Sequence, residues 1–399
     1  MSVYLRELSA LLTGRDGVNI DVYTRVHDPA KTGVQVLSPS LRVIHLEGGP
    51  TDITDPNILF EYVPAFIQRM EDFLEAEKLT YDLVYAHYWL SGLVGEWIAT
   101  NRDLPLVLTF HTLIYFKPPR PGDPVADRRR MAEDHLIEAA AGIISLSEEE
   151  RSFLVGNFQL PKHKVRCIHP GVNADLFFPD MDEEISKRIK IDRNTFSLLF
   201  VGRIVPEKGL EPLLEVISGL RETHPDVFER LRLVIVGGSR SQVDSSSEER
   251  LNIGLDANPE EGRLRAFVKE KDLVNKVIFE GPVKHEELRF YYSEADACVI
   301  PSFSESFGLV MAEALACGTP VLASDVGEMR HFIRPGKNGY LFSLENSDSL
   351  RDGLLDVVQK GVSWNPARIR KDITSRLTWD KSATKILAYL KEILSKSRS

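Results

Sequence analysis

At 399 residues, with 43% hydrophobic and 27% charged residues, the sequence can bury a large core, which excludes a disordered or fibrous chain. The 49 basic against 59 acidic residues give none of the basic excess typical of DNA or RNA binders, so we expect no nucleic-acid partner. The three cysteines form no Cys-x-x-Cys pair, which favours a reducing, cytoplasmic location over a disulfide framework or a zinc site.

Short apolar runs alternate with longer helical patterns along the whole chain, which predicts parallel sheets covered by helices. In the first half a helix is predicted at Val63–Glu77, and the predicted strands are Val18–Tyr23, Leu41–Leu46, Leu83–Ala86, Leu106–Phe110, Gly142–Leu146 and Val165–His169. In the second half the predicted strands are Ser197–Val201, Leu231–Val236, Val277–Glu280, Ala297–Pro301, Val321–Ala323 and Tyr340–Phe342. The pattern indicates an α/β protein with two doubly wound units.

The polar, proline-bearing segment 178–184 separates the two halves, so we place a linker there. The predicted domains are 1–179 and 180–378, with a C-terminal helix in 379–399, around Lys381–Ser395, that packs back on the first domain. The default site is the cleft between the two domains. Residues 239–262 carry a run of serines and acidic residues, which predicts an irregular excursion from the second sheet.

A turn after the strand that ends at Val201 combines Gly202 with two cations, Arg203 and Lys208. A turn that opens a helix offers backbone N–H groups and a partial positive charge, and two cations beside it would neutralise a diphosphate. Ordinary solvated cations on a surface loop explain this turn alone equally well. Because the turn matches neither the GxGxxG nor the P-loop spacing, a dinucleotide oxidoreductase or an NTPase is disfavoured.

A second block, residues 301–321, follows another strand and turns into a helix near Phe307, Gly308 and Leu309. Glu305 lies in the turn, where it can reach a ligand above the helix start. Glu313 lies in the second helical turn, where it can accept hydrogen bonds from vicinal sugar hydroxyls. Taken singly, a capping carboxylate and an exposed helical glutamate are the simpler interpretations.

In the first half, His87 and His111 each stand just beyond the carboxyl end of an apolar strand, where open α/β sheets bind ligands. Both histidines could donate hydrogen bonds to a hydroxylated ligand, with Tyr88, Thr112 and Lys117 beside them. For either histidine alone, a backbone-satisfied loop histidine is the simpler interpretation.

Together these motifs resemble the retaining family-4 (group 1) glycosyltransferases, whose GT-B fold has two facing Rossmann-like domains with the active site in the cleft. Within that family the sequence is most similar to the branch of sucrose synthase, sucrose-phosphate synthase and the mycothiol-pathway N-acetylglucosaminyltransferase that acts on inositol phosphate. The matching stretches extend over nearly the whole chain: Val3–Leu8, Asp21–Arg25, His87–Gly92, His111–Leu113, Pro170–Asn173, the turn with Arg203 and Lys208, and the block from Glu305 to Glu313.

The resemblance implies a retaining transfer of a sugar from a nucleoside-diphosphate sugar, with UDP favoured, to a small soluble acceptor, without cofactor or metal. It implies catalytic roles for Arg203 and Lys208 at the diphosphate, and for Glu305 and His111 at the transferred sugar. The implied donor-binding residues are Gly202, Val283, Phe307, Gly308, Leu309 and Glu313. The implied acceptor-binding residues are His87, Tyr88, Thr112, Lys117 and Arg130. The carboxylates of Asp180-Met181-Asp182 suggest a divalent metal site, but they lie in the linker, and the Arg/Lys pair makes a cation redundant.

Three features depart from the family pattern. Family members usually begin with a buried strand and a glycine loop upstream of Met1, so we expect that first N-terminal strand and glycine loop to be missing here, from a longer active protein or from a product with impaired activity. Asp55-Pro56-Asn57 falls in a segment where members with a phosphate acceptor carry Lys-Glu, which weakens the case for a phosphorylated acceptor. Glu328 follows Gly327 where a second glycine is usual.

Two alternatives remain open at the level of the sequence. The acceptor could be lipid-linked, which would place the protein at the membrane surface, although the acidic balance gives no support for such an association. A sugar-nucleotide-binding protein with impaired catalysis is the other alternative, motivated by the missing strand and loop. Binding of UDP without transfer to any acceptor would favour this last interpretation.

Overall fold

Residues 2–53, 55–117, 124–188, 195–238, 258–359 and 364–397 are described by the computed structural model. They fall into two units, the first comprising residues 1–170 and 379–399 and the second comprising residues 171–378. The boundary predicted after residue 179 therefore lies inside the second unit. Among the described residues, no helix combines the length and apolar character needed to cross a bilayer.

The first unit contains two separate sheets. Its strands are β1 (Ile20–Arg25), β2 (Gly33–Ser38), β3 (Leu41–Leu46), β4 (Val84–His87), β5 (Leu106–Thr109), β6 (Gly142–Ser145) and β7 (Val165–Cys167). One sheet has the order β1-β3-β2 and the other the all-parallel order β4-β5-β6-β7. Every residue of β5 and β6 is buried, as expected for uninterrupted apolar runs in the centre of a parallel sheet.

Helices cover these sheets and include the C-terminal helix. The helices of the first unit are Ser2–Leu12, Pro56–Leu59, Val63–Ala76, Trp89–Asn101, Pro124–Ala139, Glu148–Asn157 and Trp379–Ser397, with 3-10 turns at Arg15–Gly17, Phe60–Tyr62 and Ile114–Phe116. The last helix packs on the first, where the rings of Tyr4 and Trp379 lie 5.3 Å apart. It also lies against β6, since a Cβ at Gly142 would approach Ile393 to 2.2 Å.

The second unit is built on one parallel sheet of six strands. These are β8 (Phe196–Val201), β9 (Leu231–Val236), β10 (Val277–Gly281), β11 (Ala297–Ile300), β12 (Val321–Ser324) and β13 (Gly339–Phe342), in the order β10-β9-β8-β11-β12-β13. Its helices are Glu183–Arg188, Leu210–Thr223, Pro225–Arg230, Pro259–Glu270, Leu288–Glu294, Leu309–Ala316, Met329–Phe332, Ser347–Gln359 and Pro366–Arg376, with 3-10 turns at Pro206–Lys208 and His285–Glu287. Buried leucines and phenylalanines, among them Phe200, Leu214 and Leu233, form its core.

Most predicted strands are present within a residue or two of the expected positions, and three differences stand out. Strand β2 was not predicted, and it pairs antiparallel with β3 although only parallel pairing was expected. Its valines are exposed at the sheet edge, so it lacks the buried apolar run by which the other strands were identified. Of the predicted irregular segment 239–262, residues 239–257 lie outside the described residues, whereas Pro259–Gly262 belong to a helix capped by Asn258.

Candidate functional site

The strand order of the second unit brings two loops together at the carboxyl ends of its central strands. From β8 the chain moves outward through β9 and β10, then returns to place β11 on the other side of β8. The loops that follow β8 and β11 therefore leave neighbouring strands in opposite directions. In open α/β sheets, such a switch point at the carboxyl ends of the strands is where ligands bind.

The loop after β8 packs directly on the loop after β11. Gly209 ends the 3-10 turn Pro206–Lys208 in the left-handed region, with φ 66°. A Cβ at this position would lie 1.8 Å from the carbonyl oxygen of Pro301, so only glycine permits the close approach. The N–H of Phe303 donates to the carbonyl oxygen of Glu207 at 2.9 Å and joins the same two loops.

Two of the expected site residues meet between these loops. Lys208 donates from Nζ to Oε1 of Glu305, and Ser302 Oγ donates to the same carboxylate oxygen at 3.1 Å. Arg203 lies exposed in the same loop as Lys208, and no hydrogen bond or ion pair engages its guanidinium within the described ranges. The arrangement presents one compensated and one uncompensated cation at the switch point, and the net positive charge favours an anionic ligand.

The loop after β11 leads into the helix Leu309–Ala316. Gly308 caps this helix with φ 83°, and Phe307 before it is buried. The first N–H groups of a helix have no partner inside the helix, so the backbone from Gly308 onward can donate toward a ligand over the helix start. Gly327, in the loop after β12, packs closely on the loop after β11: a Cβ at Gly327 would lie 2.0 Å from the carbonyl oxygen of Glu305.

Glu313 lies in the second turn of that helix, as expected, but it is buried rather than exposed. Its two carboxylate oxygens accept hydrogen bonds from Tyr292 and His285, at 2.9 Å and 3.0 Å. Val283, the expected base contact, follows the carboxyl end of β10 and precedes His285 by two residues. Tyr292 and His285 were missed by the sequence reasoning.

The two cysteines of the second unit lie within the electrostatic influence of Glu313 but are not reactive. Burial, reinforced by the negative charge of Glu313, raises the pKa of Cys317 to about 12 and the pKa of Cys298 well above its usual range. Both thiols therefore stay protonated at neutral pH, and neither is an activated nucleophile.

The two candidate histidines of the first unit, His87 and His111, also come together. His87 is the last residue of β4 and His111 follows the adjacent strand β5, and His87 Nδ1 lies 3.1 Å from His111 Nε2. Burial lowers the pKa of His111 to about 3, and burial together with His111 lowers that of His87 well below its usual range. Both imidazoles are neutral at pH 7, so each can donate one hydrogen bond and accept another.

An arginine that the sequence reasoning missed organises the rest of this site. Arg129 is buried, pairs with Glu133 at 2.6 Å, and donates to the carbonyl oxygen of Thr112 at 2.6 Å and to Tyr88 Oη at 3.3 Å. Arg130, the expected acceptor contact, is exposed and lies beside Asp127. The four-residue spacing from Arg129 to Glu133 on one helix face is a signal that could have identified the pair.

The remaining expected acceptor residues take different positions. Lys117 is exposed just after the 3-10 turn Ile114–Phe116. Tyr88 has φ 77° and ψ 156°, a region that is essentially restricted to glycine, and His111 has φ 62°. Strained backbone at two adjacent strand ends is typical of functional sites.

Two residues that depart from the family pattern, Asp55 and Glu328, and the two carboxylates of the discounted metal motif have positions that belong to the fold. Asp55 caps the helix Pro56–Leu59 by accepting the N–H of Asn57 at 2.9 Å. Asp180 pairs with Arg289 at 3.0 Å and Asp182 caps the helix Glu183–Arg188, so both linker carboxylates serve the second unit. Glu328 is buried next to Gly327.

Comparison with known proteins identifies the class of enzyme to which this fold and site correspond. The family model "Glycosyl transferases group 1" matches residues 181–374, and the model "Glycosyltransferase Family 4" matches residues 1–176. The chain therefore belongs to the group 1 glycosyltransferases of the GT-B fold, as the sequence motifs predicted, and it is an enzyme.

More particular similarities point to two kinds of relative. The chain is 32% identical over 396 residues to D-inositol 3-phosphate glycosyltransferase from Nocardiopsis dassonvillei, covering 97% of this chain and 88% of that protein. It is 31% identical over 360 residues to the enzyme of the same name from Corynebacterium glutamicum, covering 89% and 82%. The structure of sucrose-phosphate synthase from Thermosynechococcus elongatus superposes with a TM-score of 0.82 at 27% identity, covering 99% of this chain and 93% of that chain.

Proposed function

We propose that this group 1 glycosyltransferase transfers a hexose or N-acetylhexosamine from a UDP sugar to a small soluble acceptor, with retention of anomeric configuration. The observation that carries the proposal is the switch point, where Arg203 and the Lys208–Glu305 pair lie in the loops after β8 and β11, and the second loop leads into the helix that carries the buried Glu313. The three cysteines are free thiols, in keeping with a reducing cytoplasm.

In this proposal the cations stabilise the departing diphosphate. Arg203 and Lys208 bind its oxygens as charge develops on them, and such preorganised electrostatic stabilisation is commonly the largest contribution to the rate. Glu305, held by Lys208 and Ser302, accepts a hydrogen bond from the transferred sugar rather than attacking it. The acceptor oxygen bonds to the anomeric carbon on the face from which the diphosphate oxygen leaves, and the acceptor proton passes to that oxygen, so the products are UDP and the glycoside.

The acceptor is proposed to be a polyol, with an inositol phosphate as the first candidate. The neutral imidazoles of His87 and His111 suit hydroxyl groups. Glu133, Thr112 and Tyr88 occupy four of the five N–H donors of the Arg129 guanidinium, which leaves one N–H on Nη1, beside Tyr88, for a single phosphate oxygen. The relatives with 31% and 32% identity are named for transfer to D-inositol 3-phosphate, which supports this choice.

A transfer assay tests the proposal. The enzyme is incubated with UDP-glucose or UDP-N-acetylglucosamine and with D-inositol 3-phosphate or free inositol, and the product is identified by mass spectrometry and its anomer by NMR. We expect an α-linked product from an α-configured donor. Transfer is expected to survive EDTA; loss of activity that manganese restores would contradict the metal-free mechanism.

The Arg203→Ala variant tests the donor site. We expect kcat/KM to fall by about 100-fold or more, because a preorganised charge aimed at the leaving group is lost. Arg221→Ala, at the far end of the helix Leu210–Thr223 and paired with Asp272, is the matched control and should retain full activity. Equal activity of wild type and Arg203→Ala would refute the proposed donor site.

A further inference from the structure

The Glu313 carboxylate is held by two side chains from two other elements. Tyr292 lies on the helix Leu288–Glu294, is fully buried, and donates from Oη to Oε2 at 2.9 Å. His285 lies on the 3-10 turn after β10, and its Nε2 is 3.0 Å from Oε1. Among the residues that the structure describes, each carboxylate oxygen is therefore engaged once, and by a different partner.

Two further acceptor positions follow from this pairing. A carboxylate offers about four lone-pair positions, two on each oxygen. With one position per oxygen occupied, Glu313 keeps one on Oε1 and one on Oε2, and its orientation is set by its two partners. Two acceptor positions on adjacent oxygens match two hydroxyl groups on adjacent carbons.

We propose that Tyr292 and His285 are positioning residues that aim Glu313 at the vicinal hydroxyls of the donor ribose and so make the enzyme select ribonucleotides over 2′-deoxyribonucleotides. The inference rests on the proposed donor site and adds the residues that set its sugar selectivity. The position of His285 agrees with this inference, because Val283 and His285 both follow β10, on the side of the sheet where the nucleoside is expected.

The packing around the two partners holds them in place. Phe177 is buried and makes edge-to-face contacts with the rings of His285 and Tyr292, at 5.1 Å and 6.0 Å between centroids. Thr319 Oγ1 donates to the backbone carbonyl oxygen of Tyr292 at 2.5 Å. Burial, together with the charge of Glu313, raises the pKa of Tyr292 well above its usual range, so its hydroxyl remains a donor at every physiological pH.

Calorimetric binding of UDP and of 2′-deoxy-UDP to Tyr292→Phe tests the inference. We expect wild type to prefer UDP by about tenfold or more, the scale of a hydrogen bond to a charged group. In Tyr292→Phe the affinity for UDP should fall toward the affinity for 2′-deoxy-UDP, because the Glu313 carboxylate is no longer oriented by Tyr292. The affinity for 2′-deoxy-UDP itself should change little. Tyr291→Phe is the matched control: Tyr291 is the buried neighbour that donates to Glu280, and its loss should keep the preference.

Two further variants keep the test decisive. His285→Ala should also reduce the preference, and His285→Gln, which keeps a donor, should restore part of it; His285 is partly exposed, so these changes spare the core. An unchanged preference in both Tyr292→Phe and His285→Ala overturns the inference, as does a wild type without preference. If Arg203→Ala binds UDP as wild type does, the proposed donor site itself fails, which is a separate outcome.

Discussion

Glu150 is a buried carboxyl group whose replacement by glutamine should stabilise the first unit at alkaline pH. The residue is only 4% exposed, and one backbone N–H, that of Leu146, donates to its Oε2 at 3.2 Å. Burial is the main cause that raises its pKa, to about 7, and the negative charge of Glu133 on a neighbouring helix adds to the effect. Tyr4, from the first helix, also lies within its electrostatic reach.

The magnitude follows from the difference between folded and unfolded pKa values. An unfolded glutamate has a pKa of about 4.3, so between that value and about 7 the folded state binds more protons than the unfolded state, and stability falls as the pH rises. At about 1.4 kcal/mol per pH unit, the ionisation of Glu150 removes roughly 2–3 kcal/mol of stability between pH 5 and pH 8. Glutamine keeps the acceptor for Leu146 and has no proton to lose.

Urea unfolding at pH 5 and pH 8, followed by tryptophan fluorescence, measures this effect. Three of the four tryptophans, Trp89, Trp97 and Trp379, belong to the first unit, so the signal reports mainly on it. Glu150→Gln should be more stable than wild type by roughly 3–4 kcal/mol at pH 8 and by only about 1 kcal/mol at pH 5. The exposed neighbour provides the control, Glu149→Gln, which should have little effect at either pH. A gain of equal size at both pH values would refute the reasoning.

Two further predictions concern backbone geometry at the candidate sites. Tyr88 has φ 77° and ψ 156°, so Tyr88→Gly should be more stable than Tyr88→Ala by about 1 kcal/mol or more, because both lose the ring but only glycine is relieved of strain; urea unfolding compares them, and an alanine variant of equal stability would count against strain. Gly209→Ala should lower the free energy of unfolding by about 2 kcal/mol or more and weaken UDP binding, since its Cβ would meet the carbonyl oxygen of Pro301. The control is Gly219→Ala, on a helix with open space around it, which should raise the free energy of unfolding by about 0.5–1 kcal/mol. A Gly209→Ala variant as stable as wild type would disprove the close approach to Pro301.

The family and most of the strands were predictable because their signals are local. Buried parallel strands such as β5 and β6 are uninterrupted apolar runs, and the glycine turn and the Glu-x7-Glu block are short motifs read directly along the chain. Strand β2 has no such run, because one edge of it faces solvent and its valines remain exposed.

The partners of each site residue depended on packing. Arg129 and Arg130 are adjacent and chemically identical, and which of them reaches Tyr88 and Thr112 is decided by the face that the helix Pro124–Ala139 turns to the core. Tyr291 and Tyr292 present the same ambiguity, and only the helix rotation assigns Tyr292 to Glu313.

The class of enzyme, the strands with continuous apolar runs and the residue types at the strand ends were all predictable from local stretches of the chain. The tertiary structure alone decided that Lys208 meets Glu305, 97 residues further along the chain, because the order of the sheet places β8 beside β11. Local propensity acts over a few residues, whereas a site is assembled by pairing between distant strands and by the rotation of each helix against the core.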